Sequence, residues 1–137
     1  MSEAEWEYVT RAGSRTRYSW GNEFDATKVA NGSGAEPVGS YTANAFGLYN
    51  MQCNIWEWVE DRWNGNYIDA PTDGSAWAGG NCSRRVLSGG SWFYVSWFLR
   101  AAARFGLGIG KRYFILVPCT SRAGVSPKMA KQRDAKA

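Results

Sequence analysis

Glycines and large aromatic residues are interleaved through most of this chain, and that pairing restricts it to folds with little regular secondary structure. The 137 residues include 16 Gly and 8 Trp. Glycine interrupts helices and strands because ordering its backbone costs the most entropy. Tryptophan rings then supply the core volume that regular elements would otherwise provide. The length suits one domain with a core of its own.

A few elements are still legible. Residues 2–12 form an expected helix, with Ser2 as N-cap, Glu5 completing a capping box, Trp6 and Val9 on one stripe and Gly13 as the stop. Short strands are expected at 17–20, 85–87, 90–98 and 113–117. Residues 105–109 alternate Gly with single large apolar side chains and suit a loop. Turn chemistry fills 23–45 and 64–84.

Net charge is +4, but Lys128, Lys131, Arg133 and Lys136 against Asp134 account for most of it. A basic tail is not a basic face, so nucleic acid is not an expected partner. No signal-peptide h-region opens the chain and no apolar run is long enough to cross a bilayer, so no membrane insertion is expected. Histidine is absent, which removes Ser-His-Asp and Cys-His catalysis and His-ligated metals. The three cysteines, Cys53, Cys82 and Cys119, match neither a disulfide framework nor a zinc pattern.

Four strings taken in order resemble the formylglycine-generating-enzyme and sulfatase-modifying-factor family: SEAEWEYVTRAG at 2–13, YSWGN at 18–22, PVGSYTANAFGLYNMQCNIWEWVEDRW at 37–63, and RVLSGGSWF at 85–93. The resemblance implies an α+β, C-type-lectin-like fold with low regular secondary structure, in a minimal, N-terminally shortened version. Residues 1–124 would form the single domain, and 125–137 a disordered, polar basic tail.

The resemblance also implies a test for chemistry. In the family's oxidases two cysteines shortly after the Gly-Gly-Ser strand bind copper, as soft Cu(I) prefers. Here Gly90 to Phe98 contains no cysteine. The family's iron-dependent relatives use histidine. Neither copper nor iron is therefore expected, and no catalytic residue is assigned. A structural calcium loop is implied instead: the Asn50 side chain, the carbonyls of Cys53 and Ile55, and the Glu57 carboxylate. Such oxygen donors suit Ca²⁺. Cys53 stands where the family usually has Gly, which puts the loop's backbone angle in question. The same groups serve equally to pin the loop by hydrogen bonds, and both readings stand.

The segment after Gly90 departs from the family. Its stretch is normally polar, yet here Phe93, Tyr94, Val95, Ser96, Phe98, Phe105, Gly106, Leu107, Gly108, Ile109, Tyr113, Phe114 and Ile115 alternate with a framework that still fits. That contrast resembles variable proteins of diversity-generating retroelements, with a variable region at about 85–118. Randomised Asn codons in such elements cannot encode Trp, Met, Lys, Gln or Glu. All the candidate positions pass, while Trp97 and Lys111 do not and are assigned to the framework. An exposed aromatic cluster marks an interaction site. Residues 113–117 read equally as face or as buried strand.

The expected function is a non-enzymatic, receptor-like binding protein for a protein or other macromolecular ligand. It is expected to be monomeric and of prokaryotic or viral origin. Two alternatives remain: a sulfatase-modifying oxidoreductase with altered chemistry, and an assembly protein whose apolar face joins copies.

Overall fold

The computed structural model describes residues 1–32 and 34–110. Tyr113, Phe114, Ile115, Lys111, Cys119, the expected strand at 113–117, the domain limit at 124 and the 125–137 tail lie outside the described residues.

The helix forms as its caps dictate. Helix α1 spans Glu3–Arg11, and the Ser2 side chain accepts from the Glu5 N–H while Glu5 accepts from the Ser2 N–H. Gly13 follows the cap residue Ala12 with φ 90°, at the C′ position expected for the stop. Ala12 takes the left-handed cap conformation (φ 46°) and returns its N–H to the Tyr8 carbonyl. Trp6 and Thr10, one turn apart, turn the same side of α1 to the interior.

Three strands follow: β1 Glu57–Trp63, β2 Asn81–Ser88 and β3 Arg104–Gly108, antiparallel in the order β1-β2-β3. Strand β1 alternates buried Glu57, Val59 and Asp61 with more exposed Trp58, Glu60 and Arg62, so one sheet face meets α1. A register shift interrupts the β1–β2 ladder between Trp58 and Arg62.

Three expected elements change. The expected strand at 17–20 is only a single bridge, Tyr18 to Gly21. The expected strand at 90–98 is a turn followed by a short 3₁₀ helix over Ser96–Leu99. Its N–H groups close locally, Tyr94 onto the Ser91 carbonyl and Phe98 onto Val95, so no ladder forms. Conversely, the expected loop at 105–109 contains strand β3. One of its glycines is required because a neighbouring side chain fills the place of a Cβ. A Cβ on buried Gly106 would lie 2.2 Å from the Trp63 ring.

Two apolar clusters form the core. One gathers Trp6, Met51, Val59 and Val86, and the other Tyr18, Val29, Cys53 and Leu99. Between regular elements, side-chain amides replace ladders. Gln52 accepts from the Ser19 N–H and donates to the Leu99 carbonyl, and Asn54 bonds both the N–H and the carbonyl of Glu36. Asn44 donates to the Val9 carbonyl and accepts from the Phe46 and Leu48 N–H groups.

A buried charged network ties α1 to the sheet. Arg104 pairs with Glu3 at 2.8 Å and lies between the rings of Trp63 (4.8 Å) and Tyr67 (4.4 Å). The Tyr67 hydroxyl donates to Glu3, while Asp61 accepts from the N–H groups of Glu3 and Trp77. Burial pushes the Glu3 carboxyl above its ordinary 4.5, and the Tyr67 hydroxyl and Arg104 pull it only partly back.

This network predicts a signed pH effect. Arg104→Met keeps the volume between the two rings but strands the Glu3 carboxylate, which raises its pKa further. A carboxyl with a folded pKa above its unfolded value costs stability above the folded pKa and nothing below the unfolded one. Urea unfolding is expected to show a loss of about 3 kcal/mol at neutral pH that shrinks as pH falls toward 4. A loss independent of pH would contradict this account.

Candidate ligand-binding face

The segment Ser91–Leu99 is held mainly by its own backbone. Its start is fixed at Gly90 (φ 73°), where a Cβ would come within 2.4 Å of Leu99 Cδ2 and 2.7 Å of the Phe98 carbonyl oxygen. Only glycine permits both that angle and that approach. The Trp92 N–H then donates to the Asn54 carbonyl, and the Trp92 carbonyl accepts from the Gly32 N–H. The Tyr18 hydroxyl donates to the Ser96 carbonyl at 3.1 Å, and Gln52 donates to that of Leu99 at 2.9 Å.

With the backbone fixed, side chains divide into two sets. Tyr94 and Phe98 turn inward onto Trp56, with ring centroids 5.4 and 6.2 Å away, and Phe105 reaches the same indole at 5.9 Å. Trp56 itself is buried, so it acts as the floor of an aromatic plate. Phe93, Val95 and Trp97 turn outward with 78%, 68% and 60% of their surface exposed. Ile109, just past β3, is 62% exposed, while Leu107, Gly108 and Ser96 are half-buried.

Not every candidate position shares this surface. Gly106 is buried beneath Trp63 and faces the helix side of the sheet. Trp97, which codon reasoning assigned to the framework, stands in the face instead. The Arg100 guanidinium stacks on its ring at 3.4 Å and donates to its carbonyl. Period-two alternation in 93–98 was the available signal, since Trp97 falls in phase with Phe93 and Val95.

The calcium-like loop lies directly behind. Asn50 through Asn54 are all buried, and Asn50, Cys53 and Asn54 hold positive φ values of 53°, 77° and 73°. Cys53 therefore adopts the backbone that glycine favours, and its thiol donates to the Ala30 carbonyl. Both Asn50 side-chain polar atoms are buried without a hydrogen-bond partner. Glu57 is also buried, and one of its oxygens accepts from the Trp6 indole N–H at 2.9 Å. The Cys53 carbonyl accepts from the Ile55 N–H. The Ile55 carbonyl lies 3.7 Å from the Cβ position at Gly89. Amide, carbonyl and carboxylate oxygens are the kind of hard donor that Ca²⁺ selects. Among the described residues no three His, Cys, Asp or Glu side chains converge.

The profile of the sulfatase-modifying factor enzyme 1-like domain matches residues 1–112. The chain belongs to this family. It is 33% identical over 109 residues to the formylglycine-generating enzyme of Streptomyces coelicolor, covering 66% of this chain and 35% of that enzyme. It is 38% identical over 108 residues to serine/threonine-protein kinase pkn1 of Chlamydia caviae, covering 75% of this chain and 17% of that protein. The chain thus spans 35% of one curated relative's length and 17% of the other's. Among solved structures, PvdO from Pseudomonas aeruginosa superimposes with TM-score 0.73 at 38% identity, over 82% of this chain and 47% of that one. Treponema denticola variable protein 1 does so with TM-score 0.70 at 29% identity, over 82% and 42%. The fold is accordingly α+β and C-type-lectin-like, as the sequence strings implied. No helix among the described residues is long and apolar enough to cross a membrane.

The division into plate and face predicts unequal mutational costs. Trp56→Ala removes the floor under three rings and is expected to cost about 3–5 kcal/mol in urea unfolding. Phe93→Ser with Val95→Ser is expected to change stability by less than about 0.5 kcal/mol. Comparable losses in both would mean that Phe93 and Val95 carry packing.

Proposed function

We propose that this chain is a non-enzymatic ligand-binding domain and that its face, built around Phe93, Val95, Trp97, Phe105 and Ile109, meets a protein or other macromolecular ligand. One observation carries the reading: Phe93, Val95 and Trp97 stand exposed above a packed aromatic floor instead of joining it. Soluble domains seldom leave such a cluster open without a partner. Exposed Phe and Trp offer contact area with few rotors to freeze. The likeness to Treponema denticola variable protein 1 supports a face whose residues are meant to change. In this reading Trp97 is a constant member of the face, since its codon cannot arise by adenine randomisation.

Sequencing the locus tests the diversification. A near-copy of the 85–118 coding region is expected, with adenines at the codons for the variable positions, beside a reverse-transcriptase gene. A locus without such a repeat contradicts diversification. Light scattering separates binding from assembly, since the monomer expected here would associate with rising concentration if the face joined copies.

The relatives named formylglycine-generating enzymes favour a second reading, an oxidoreductase of that type. Against it stands Gly90–Phe98, where no thiol is available to hold Cu(I). Incubating the copper-treated chain with a sulfatase-derived cysteine peptide is expected to leave the peptide's mass unchanged. Conversion of the cysteine to an aldehyde would establish the enzyme reading.

We further propose that Asn50, Glu57 and the carbonyls of Cys53 and Ile55 hold a structural Ca²⁺. Such an ion would supply the charge that Asn50's buried oxygen otherwise lacks, and would brace the loop behind the face. Added Ca²⁺ at about 100 times its dissociation constant should stabilise the fold by about 2.7 kcal/mol. Thermal unfolding with and without a chelator checks this, and Asn50→Ala is expected to abolish the difference. An unchanged Tm in the parent chain would favour pinning by hydrogen bonds alone.

A further inference from the structure

Charge is divided along this chain. Between Asp73 and Asp134 the sequence contains no Asp or Glu, yet it holds Arg84, Arg85, Arg100 and Arg104 among its described residues. Three of these four cations have local company. Arg104 pairs with Glu3, Arg84 lies over Trp63 and donates to the Gly106 carbonyl, and Arg100 lies over Trp97. Arg85 has no ion pair among the described residues, and its Nη1 is buried without an acceptor. A buried charged donor left unpaired is costly.

Its neighbour makes the problem worse. The β1–β2 register sets Arg62 directly opposite Arg85. Trp63 and Arg84, next to them in the chain, pack on each other on the helix side of the sheet, with 5.4 Å from guanidinium carbon to ring. Arg62 and Arg85 therefore both project from the other side. Side chains directly opposite in an antiparallel pair start about 5 Å apart, and like charges there repel. The carboxylate that β1 places on that side, Glu60, is mostly exposed and bound to the Met1 ammonium at 2.7 Å. Trp58, Leu87, Phe105 and Leu107 occupy the surrounding register positions. Two positive charges, a donor without an acceptor and an apolar wall call for a bound anion.

We propose that Arg62 and Arg85 form an oxyanion subsite on the outer side of the sheet, receiving a carboxylate or phosphate group. Guanidinium forks match both in planar, two-point geometry. The site adjoins the aromatic plate through Phe105 and Leu107. It stands on strand register and missing counter-charge and goes beyond the proposed function, so it does not depend on what the apolar face binds.

Nuclear magnetic resonance on the ¹⁵N-labelled full chain tests it, following the Nε–Hε signals of Arg62 and Arg85. Sodium phosphate and sodium acetate are titrated separately, each against sodium chloride at equal ionic strength. A saturable shift is expected with one or both oxyanions and none with chloride. Phosphate saturating first assigns a phosphoryl ligand, and acetate first a carboxylate. Arg85→Gln and Arg62→Gln are each expected to weaken the titration roughly tenfold, as loss of one charged hydrogen bond implies. Arg62 is half-exposed, so its variant serves if Arg85→Gln fails to fold. No saturable shift with either oxyanion, or an undiminished shift of Arg85 in Arg62→Gln, overturns the proposal. Phe93→Asp with Val95→Asp should leave this titration intact while removing ligand capture at the face, so the two ideas can fail separately.

Discussion

The buried polar segment from Asn50 to Glu57 is the constraint on which the rest of the structure depends. It contributes Met51 to one apolar cluster and Cys53 to the other, so both cores hang from a single stretch of chain. Its side chains also do what a sheet ladder does elsewhere. Gln52 joins Ser19 to Leu99, Asn54 holds Glu36, and Glu57 anchors the indole of Trp6 in α1. Buried amides are expensive when unpaired and specifying when paired. With three strands and one α-helix of nine residues among the described residues, the fold needs that kind of specification.

Sequence revealed the parts of this fold that rest on local chemistry. The capping box of α1 was legible because both partners lie within one turn, at Ser2 and Glu5. At 50–54 the string put the backbone angle at Cys53 in question, and Cys53 keeps the glycine-like angle (φ 77°). Expectation failed where distant residues decide. The alternating pattern of 93–98 looks like a strand, but its outward side chains stay largely exposed, and its N–H groups close on themselves. The glycines of 105–109 looked like a loop because the Trp63 ring, more than 40 residues earlier, is invisible from that window. A codon argument bears on which positions vary and not on exposure, so it leaves open that Trp97 stands outward.

The same contrast explains why the charge division was hard to see. Summed over the chain, positive and negative residues nearly balance outside the tail, which suggested no charged face. Cross-strand register is what sets Arg62 against Arg85, and register depends on the bulge after Trp58 rather than on composition. A net charge says little about where unpaired cations collect.

The attachment of 91–99 bears on how such a face can change without loss of the fold. The hydrogen bonds from the frame to this segment end on its backbone atoms: the N–H and carbonyl of Trp92, the carbonyl of Ser96 and the carbonyl of Leu99. The matching groups on the frame include the side chains of Tyr18 and Gln52, which lie outside the segment. Backbone groups are common to every residue except for proline's missing N–H. Outward positions 93, 95 and 97 can therefore alter size and polarity while each attachment persists. Tyr94 and Phe98 differ, because their rings pack on Trp56 and a small residue there would open the floor. Tolerance should thus follow the period-two pattern of exposure, with the attachments fixed by main chain and the floor fixed by one indole.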